Sequence, residues 1–333
     1  MQACLLMPNK GARFHFGEAS GDMPNAPQTT SHFLHSDTLF SAIVNAWAVK
    51  NPETVDEFIA VCKRGEFNIS SGFYCVQTYG KTVFFLPKPV SLNLLSFEDP
   101  LILERIERIK MISAGIWENG LLPAEWFDAE KCTLLQNETM VALKKEINHN
   151  IILYEVITTP KANIRTADKE KSLYFQTDLY LFGDEGHTVN WYFLIGKTLD
   201  GHLGNHLYEA LQTMTHLGIG GRRSSGCGGL KGFDFEEFSL KLSDTQYQAA
   251  ISTVIPNVNE LSDNCLYLTM KRGGRREGAN EKPLPMVQVL QEGAVFDKDI
   301  KGKIVTLSDN PPVVRYGINF SLPLHNNYIK GLL

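Results

Sequence analysis

Residues 218–229 read GIGGRRSSGCGG, a run with six glycines, two adjacent arginines and two adjacent serines. It directly follows the stretch 201–217, whose Leu203, Leu207, Ala210, Leu211, Met214 and Leu217 recur at helical spacing. An apolar, strand-like run begins just after it, near Leu230. A glycine-dense connection from a helix into a strand narrows the fold sharply. Gly218 stands where the helix must end, and glycine lets the chain take positive φ and approach a neighbour closely. Exposed successive N–H groups form concave anion nests. Arg222 and Arg223 add planar forks suited to phosphate oxygens, and Ser224 and Ser225 add short hydroxyl donors. The plain alternative is a helix cap followed by a flexible turn. On chemistry alone, Gly218, Gly220, Gly221, Arg222, Arg223, Ser224, Ser225 and Gly226 are the candidate phosphate contacts.

Element order argues against two familiar nucleotide motifs. A P-loop carries Gly-Lys-Ser/Thr into a helix, whereas this loop has no lysine and follows its helix. A dinucleotide-binding loop also opens a helix after a strand. Here the helix presents its negative end, so donors must come from the loop itself. That suits an extended polyanion lying across a sheet edge, and it makes a nucleotide-hydrolysing or nucleotide-binding enzyme the weakest reading. No cofactor motif is present.

The chain has 333 residues, a formal net charge of −5 and a charged fraction of 21%, ordinary for a globular protein of one or two domains. A free-standing, non-specific nucleic-acid binder is normally basic, so any nucleic-acid site must be local. The positive charge falls in islands, Arg222–Arg223 and the run Lys271, Arg272, Arg275 and Arg276, for which a solvated loop is the plain alternative. The six cysteines are scattered without a Cys-x-x-Cys pair, which signals neither a zinc knuckle nor a disulfide framework. The carboxylates show no metal-site spacing, so no metal is expected. With no secretory signal and no long apolar span, a cytoplasmic protein without membrane contact is expected.

Taken in order, residues 2–7 predict a strand and 17–31 a long polar loop. Phe40, Ile43, Val44 and Trp47 predict a helix capped by Ser36 or Asp37. A second short helix is expected at 53–64 and strands at 67–78, 172–182, 190–195 and 230–235. Within an insertion at about 90–170, the pattern predicts a helix over 101–113 and a strand over 151–157, followed by a cation-rich tail that includes Arg165. Without the insertion, the elements run in the β-α-β-β-α-β order of a ferredoxin-like unit. The fold class read from this is α+β, with a first unit over 1–235 and a smaller one over 236–333 carrying apolar runs at 265–270, 286–290 and 312–322. His35, His32 and His15 could in principle serve as general bases, but no partner constellation stands near them in sequence, and cap or loop histidines are the plainer reading.

These residues carry a resemblance. Arg13 to Gly17 (RFHFG), HSDTLFSAI at 35–43, FLPKP at 85–89, GIGGRRSSGCGG, GAVF at 293–296 and PVVRYGINF at 312–320 resemble, in order, landmarks of the RAMP superfamily of CRISPR proteins. Within it, the chain is most similar to the subunit that caps the guide-RNA 5′ end in type III-A (Csm) effector complexes. The resemblance covers nearly the whole chain, with HSDTLFSAI and GGRRSSG its specific motifs. It implies two tandem ferredoxin-like (RRM-like) domains, a protruding hairpin thumb within the insertion and no catalysis. It further implies contacts to the 5′ tag of a CRISPR RNA, with a large polymerase-like subunit and a backbone subunit as partners in antiviral defence. His35, Ser36, Arg165, Lys271 and Arg272 join the glycine-rich loop as RNA-binding candidates. KRGGRR at 271–276 matches a second glycine-rich landmark only loosely. The alternative in the same superfamily is a metal-independent repeat endoribonuclease using His35 or His15 as general base.

Overall fold

Ala3, Cys4, Leu5 and Leu6 are all buried, so the first strand, β1 (Gln2–Pro8), is covered on both faces and sits inside a sheet. The computed structural model describes residues 1–17, 29–78, 80–95, 100–164, 171–242, 245–274, 284–309 and 312–330. After β1 come β2 (Arg13–Phe14), helices α1 (Ser36–Lys50) and α2 (Val55–Lys63), and strands β3 (Phe73–Thr78) and β4 (Lys81–Pro87). Next are α3 (Pro100–Arg108), β5 (Met111–Ser113), α4 (Ala114–Asn119), β6 (Cys132–Leu135) and β7 (Met140–Leu143), then the long strands β8 (Tyr154–Ile164) and β9 (Lys171–Leu181). β10 (Thr188–Ile195), α5 (Gly201–Leu217) and β11 (Leu230–Glu237) follow. The remainder contributes β12 (Gln248–Ala250), β13 (Thr269–Arg272), β14 (Val287–Leu290), β15 (Val295–Phe296), β16 (Val305–Asp309), β17 (Pro312–Arg315) and β18 (Ser321–Pro323).

The class is α+β. Four strands stand in the order β11-β1-β10-β3, each antiparallel to its neighbour. With α1 between β1 and β3 and α5 between β10 and β11, this is the connectivity and strand order of a ferredoxin-like unit. The two helices lie side by side, and the Asn51 amide at the end of α1 donates to Glu209 on α5 at 2.9 Å. The helix expected at 201–217 occupies those residues, and the backbone N–H of Gly218 closes it on the Met214 carbonyl at 2.8 Å.

Between β3 and β10 the chain makes a long excursion with two parts. The first continues the central sheet through β4, β5, β7 and β6, so that it reaches eight strands. Here the helix expected over 101–113 stops at Arg108, and Met111–Ser113 becomes a strand. Pairing with Phe85–Pro87 on one side and Met140–Val141 on the other buries all three residues, which outweighs the local helical pattern. The second part is the hairpin β8–β9, paired residue for residue from Tyr154↔Leu181 to Ile164↔Lys171. The excursion expected at about 90–170 therefore extends past β9. The expected strand 172–182 is the hairpin's returning arm. Arg165 lies outside the described residues.

Beyond Phe238 the described elements are strands and one 3-10 turn, arranged as β15-β12-β18, β13-β14 and β16-β17. They share the first unit's interior: Ala249, Val295, Tyr316, Phe320 and Leu322 belong to the same buried cluster as Leu5, Phe40 and Trp191. The Tyr316 ring stacks on Phe40 with centroids 4.6 Å apart, and its hydroxyl accepts the Ile69 N–H at 3.0 Å. Among the described residues, no helix is long and apolar enough to cross a membrane.

Candidate nucleic-acid interface

The glycine-rich segment folds back against β2 and the residues after it. Gly221 donates its N–H to His15 O at 2.8 Å, Gly228 to Arg13 O at 2.7 Å, and Ile219 to Gly228 O at 3.0 Å. Ser225 and Gly226 close a 3-10 turn on Arg222 O and Arg223 O, each at 2.9 Å. These five amides have protein acceptors. The expected nest of outward-facing amides is accordingly confined to the rest of the turn. Two glycines are demanded by close approach within the protein. At Gly220 (φ 80°) a Cβ would stand 2.7 Å from His15 O and 2.9 Å from the Phe16 ring. At Gly228 (φ 82°) it would overlap the Ile219 backbone.

What the segment presents outward is the turn itself. Ser224, Ser225 and Gly226 are exposed, while Arg222 and Arg223 are half-buried. Arg13, half-buried beside them, donates from one guanidinium nitrogen to Ser225 O at 2.5 Å, and the other lies 3.6 Å from the buried carboxylate of Asp178 on β9. The cationic turn is thereby held at the root of the long hairpin. His15 is buried here, its Nδ1 2.8 Å from Thr177 O. Burial, reinforced by the Arg222 guanidinium, lowers its pKa below the ordinary imidazole value despite that hydrogen bond. A neutral His15 beside Arg222 leaves the arginine as the local positive charge. Arg13 was named in the sequence only as part of a landmark; its role becomes visible when the parallel bridge to Cys227 brings residues more than 200 positions apart together.

Three of the other candidates have buried partners within the protein, and two of them, His35 and Arg272, also line a cleft. His35 is the N-cap residue of α1 and is buried, with Nδ1 2.8 Å from Glu292 and Nε2 3.0 Å from Ser31. Ser36 is fully buried; its hydroxyl lies 2.9 Å from that of Thr253 and accepts the Thr253 N–H at 3.1 Å. Neither Ser36 nor Asp37 caps the helix. Asp37 instead accepts both arms of the buried Arg272 guanidinium, at 3.0 and 2.9 Å, and is also paired with Arg315. Burial pushes the Asp37 carboxyl up, but Arg272 and Arg315 overcome it and hold it well below the usual carboxylate range. The HSDTLFSAI motif is thus a polar lock: His35, Ser36 and Asp37 engage Glu292, Thr253, Arg272 and Arg315, all from the C-terminal stretch. These side chains face inward because three charged groups at one buried point require one another.

Lys271, next to Arg272, is exposed. It stands at the rim of a cleft of about 330 Å³, lined also by Lys110, the stacked pair Tyr74 and Tyr154, and Met111, Met140 and Met270. A row of rings leads from the glycine-rich turn to this cleft: Phe16 meets Trp191 edge-on at 5.4 Å, and Trp191 lies 4.4 Å from Tyr74. The cleft is thus lined by flat rings and methionines, with the exposed Lys110 and Lys271 beside them. Arg275 and Arg276 lie outside the described residues.

Comparison with known proteins gives concordant results. Residues 243–324 match the family model of the CRISPR Csm4 C-terminal domain. The chain is 24% identical to the CRISPR system Cms protein Csm4 of Methanocaldococcus jannaschii, over 92% of this chain and 89% of that protein. It is likewise 24% identical to the protein of the same name from Streptococcus thermophilus, over 93% and 94% of the two chains. In fold it is similar to a chain of the Csm3–Csm4 subcomplex of a type III-A interference complex, with a TM-score of 0.68 at 20% identity over 98% of this chain and all of that one. A chain of a Csm1–Csm4 cassette bound to pppApA superposes with a TM-score of 0.60 at 17% identity, covering 97% of each. The match over 243–324, the near full-length similarity to two Csm4 proteins and the shared fold together make the chain similar to Csm4 proteins of type III-A CRISPR systems.

Proposed function

We propose that this chain is a non-catalytic, RNA-binding subunit of a type III-A CRISPR ribonucleoprotein in the cytoplasm. It holds the 5′ tag of the CRISPR RNA and joins a Csm1-like large subunit to Csm3-like backbone subunits. The assembly part of this reading is supported by the similar structures, which contain Csm4 with Csm3 and with Csm1. The RNA part rests on one observation: Arg13, Arg222 and Arg223 converge with the exposed Ser224 and Ser225 on a turn anchored at the hairpin root. Phosphate contacts there position the strand without reading its sequence. A tag base reaching the Tyr74–Tyr154 cleft supplies base recognition.

The endoribonuclease alternative finds less support. His35 has a protein partner at each ring nitrogen, and His15 is buried against Thr177 O. The deciding experiment assembles the complex with the double variant Arg222→Ala, Arg223→Ala and measures guide-RNA retention against salt. The expected outcome is weaker retention, with the logarithmic salt slope reduced by about one to two. Unchanged retention and slope would remove the turn from the RNA path. Incubation of the isolated chain with repeat RNA in chelator checks the alternative, since histidine-dependent cleavage would overturn a purely binding role.

A further inference from the structure

Three side chains that belong to neither the glycine-rich turn nor the cleft converge where the chain enters and leaves the hairpin. His149 precedes β8, while Asp184 and His187 follow β9. Nε2 of His149 lies 3.1 Å from one Asp184 carboxylate oxygen, and Nδ1 of His187 contacts the other. The two imidazoles meet edge to face with centroids 5.0 Å apart, and one ligand atom from each of the three residues falls within 4.8 Å of the others. Donors about 2.0–2.2 Å from a zinc ion stand roughly 3.4 Å apart in a tetrahedron. To hold one ion the three donor atoms would draw to that spacing by side-chain rotation, and the side chains of His149, Asp184 and His187 are 51%, 41% and 14% exposed.

The second nitrogen of His149 supplies an independent sign. Its Nδ1 lies 2.9 Å from the Asn148 side-chain oxygen. With the proton on Nδ1, Nε2 would offer its lone pair to an ion in place of its present contact with Asp184, as in metal-ligating histidines whose other nitrogen donates to a carbonyl or carboxylate.

We propose that His149, Asp184 and His187 form a site for a divalent transition-metal ion of the zinc class, with water completing the coordination. Two imidazole nitrogens and one carboxylate oxygen suit zinc, whereas magnesium and calcium require mostly oxygen ligands. The ion ties the segment entering the hairpin to the segment leaving it. It acts beside the backbone bond from Phe182 N to Leu153 O at 2.8 Å, and so fixes the angle at which the hairpin leaves the sheet. The spacing conceals this site in the sequence, because His149 and Asp184 are 35 positions apart.

The test titrates Zn2+, with Co2+ as a spectroscopic probe, into the full chain stripped of metal and carrying no histidine tag. One equivalent is expected to bind with micromolar or tighter affinity, giving visible Co2+ absorption bands and raising the unfolding temperature. His149→Ala and His187→Ala should each weaken binding at least about a hundredfold, and Asp184→Asn at least about tenfold. His202→Ala, a control on α5, should leave it unchanged, and millimolar Mg2+ should not compete. Circular dichroism establishes that the variants, including that at the mostly buried His187, remain folded. Stoichiometric zinc binding that survives both histidine variants, or no binding tighter than about 100 µM to the unaltered chain, would overturn the proposal.

Discussion

The glycine-rich turn and the His35–Asp37 segment have similar polar, helix-flanking sequences but opposite destinations. Arg222–Ser225 lies at a helix C-terminus and shows its serines to solvent, while His35, Ser36 and Asp37 lie at a helix N-terminus and are buried. What separates them is where partners are found. The buried trio meets Glu292, Thr253, Arg272 and Arg315 across the interior, whereas the turn spends several backbone groups on its own closure and on β2, leaving side chains at the surface. A polar motif thus joins two parts of a fold where complementary groups are buried with it.

The comparison breaks most visibly at Asp37. Asp37→Ala strands two buried guanidinium groups and should cost about 3–5 kcal/mol in chemical unfolding. A loss below about 1 kcal/mol would mean that the lock is solvated. Because the folded-state carboxyl is held below its unfolded value, its contribution is complete above about pH 5 and is lost as pH falls through the ordinary aspartate value near 4 toward the depressed one. Acid unfolding of the unaltered chain should show this dependence, and the Asp37→Asn chain should lack it.

Gly228→Ala comes next. Its positive φ and the Ile219 backbone against which a Cβ would press predict a loss of about 1–3 kcal/mol by thermal unfolding. A neutral result would show that this part of the loop does not depend on close backbone approach.

The two serines give a matched pair. Ser36→Ala leaves the buried Thr253 N–H without its acceptor and should cost about 1–3 kcal/mol, while Ser225→Ala at the surface should stay within about 0.5 kcal/mol. Equal effects would erase the distinction between lock and turn. The smallest stability change is expected for Arg222→Ala with Arg223→Ala, within about 1 kcal/mol, in the same variant whose RNA retention should fall. A large loss of stability there would reassign the pair to the fold.

Much of the first unit was legible from local pattern. The stripe from Leu203 to Leu217 ending at Gly218 marks α5 because helical periodicity and a glycine stop are properties of neighbouring residues. Met111–Ser113 was not legible, because its strand state depends on Phe85–Pro87 and Met140–Val141. The buried partners of His35, Ser36 and Arg272 were hidden for a related reason. A histidine, a serine and an arginine carry the same chemistry in a ligand site and in a buried network, and only their distant partners distinguish the two. Arg13 and the His149–Asp184–His187 cluster show the converse, sites that spacing along the chain conceals.

The amino-acid sequence by itself determined the α+β class, the strand and helix order of the first unit, the position of the glycine-rich loop and the absence of a broadly basic surface. Those follow from periodicity, glycine placement and charge, which act over a few residues or over the chain as a sum. The tertiary structure alone decided which polar groups are buried and which face outward. That choice depends on desolvation and on partners more than 200 residues away, as Asp37 with Arg272 and Arg13 with Ser225 illustrate, and burial of a charge is tolerated only where the fold delivers its counterpart.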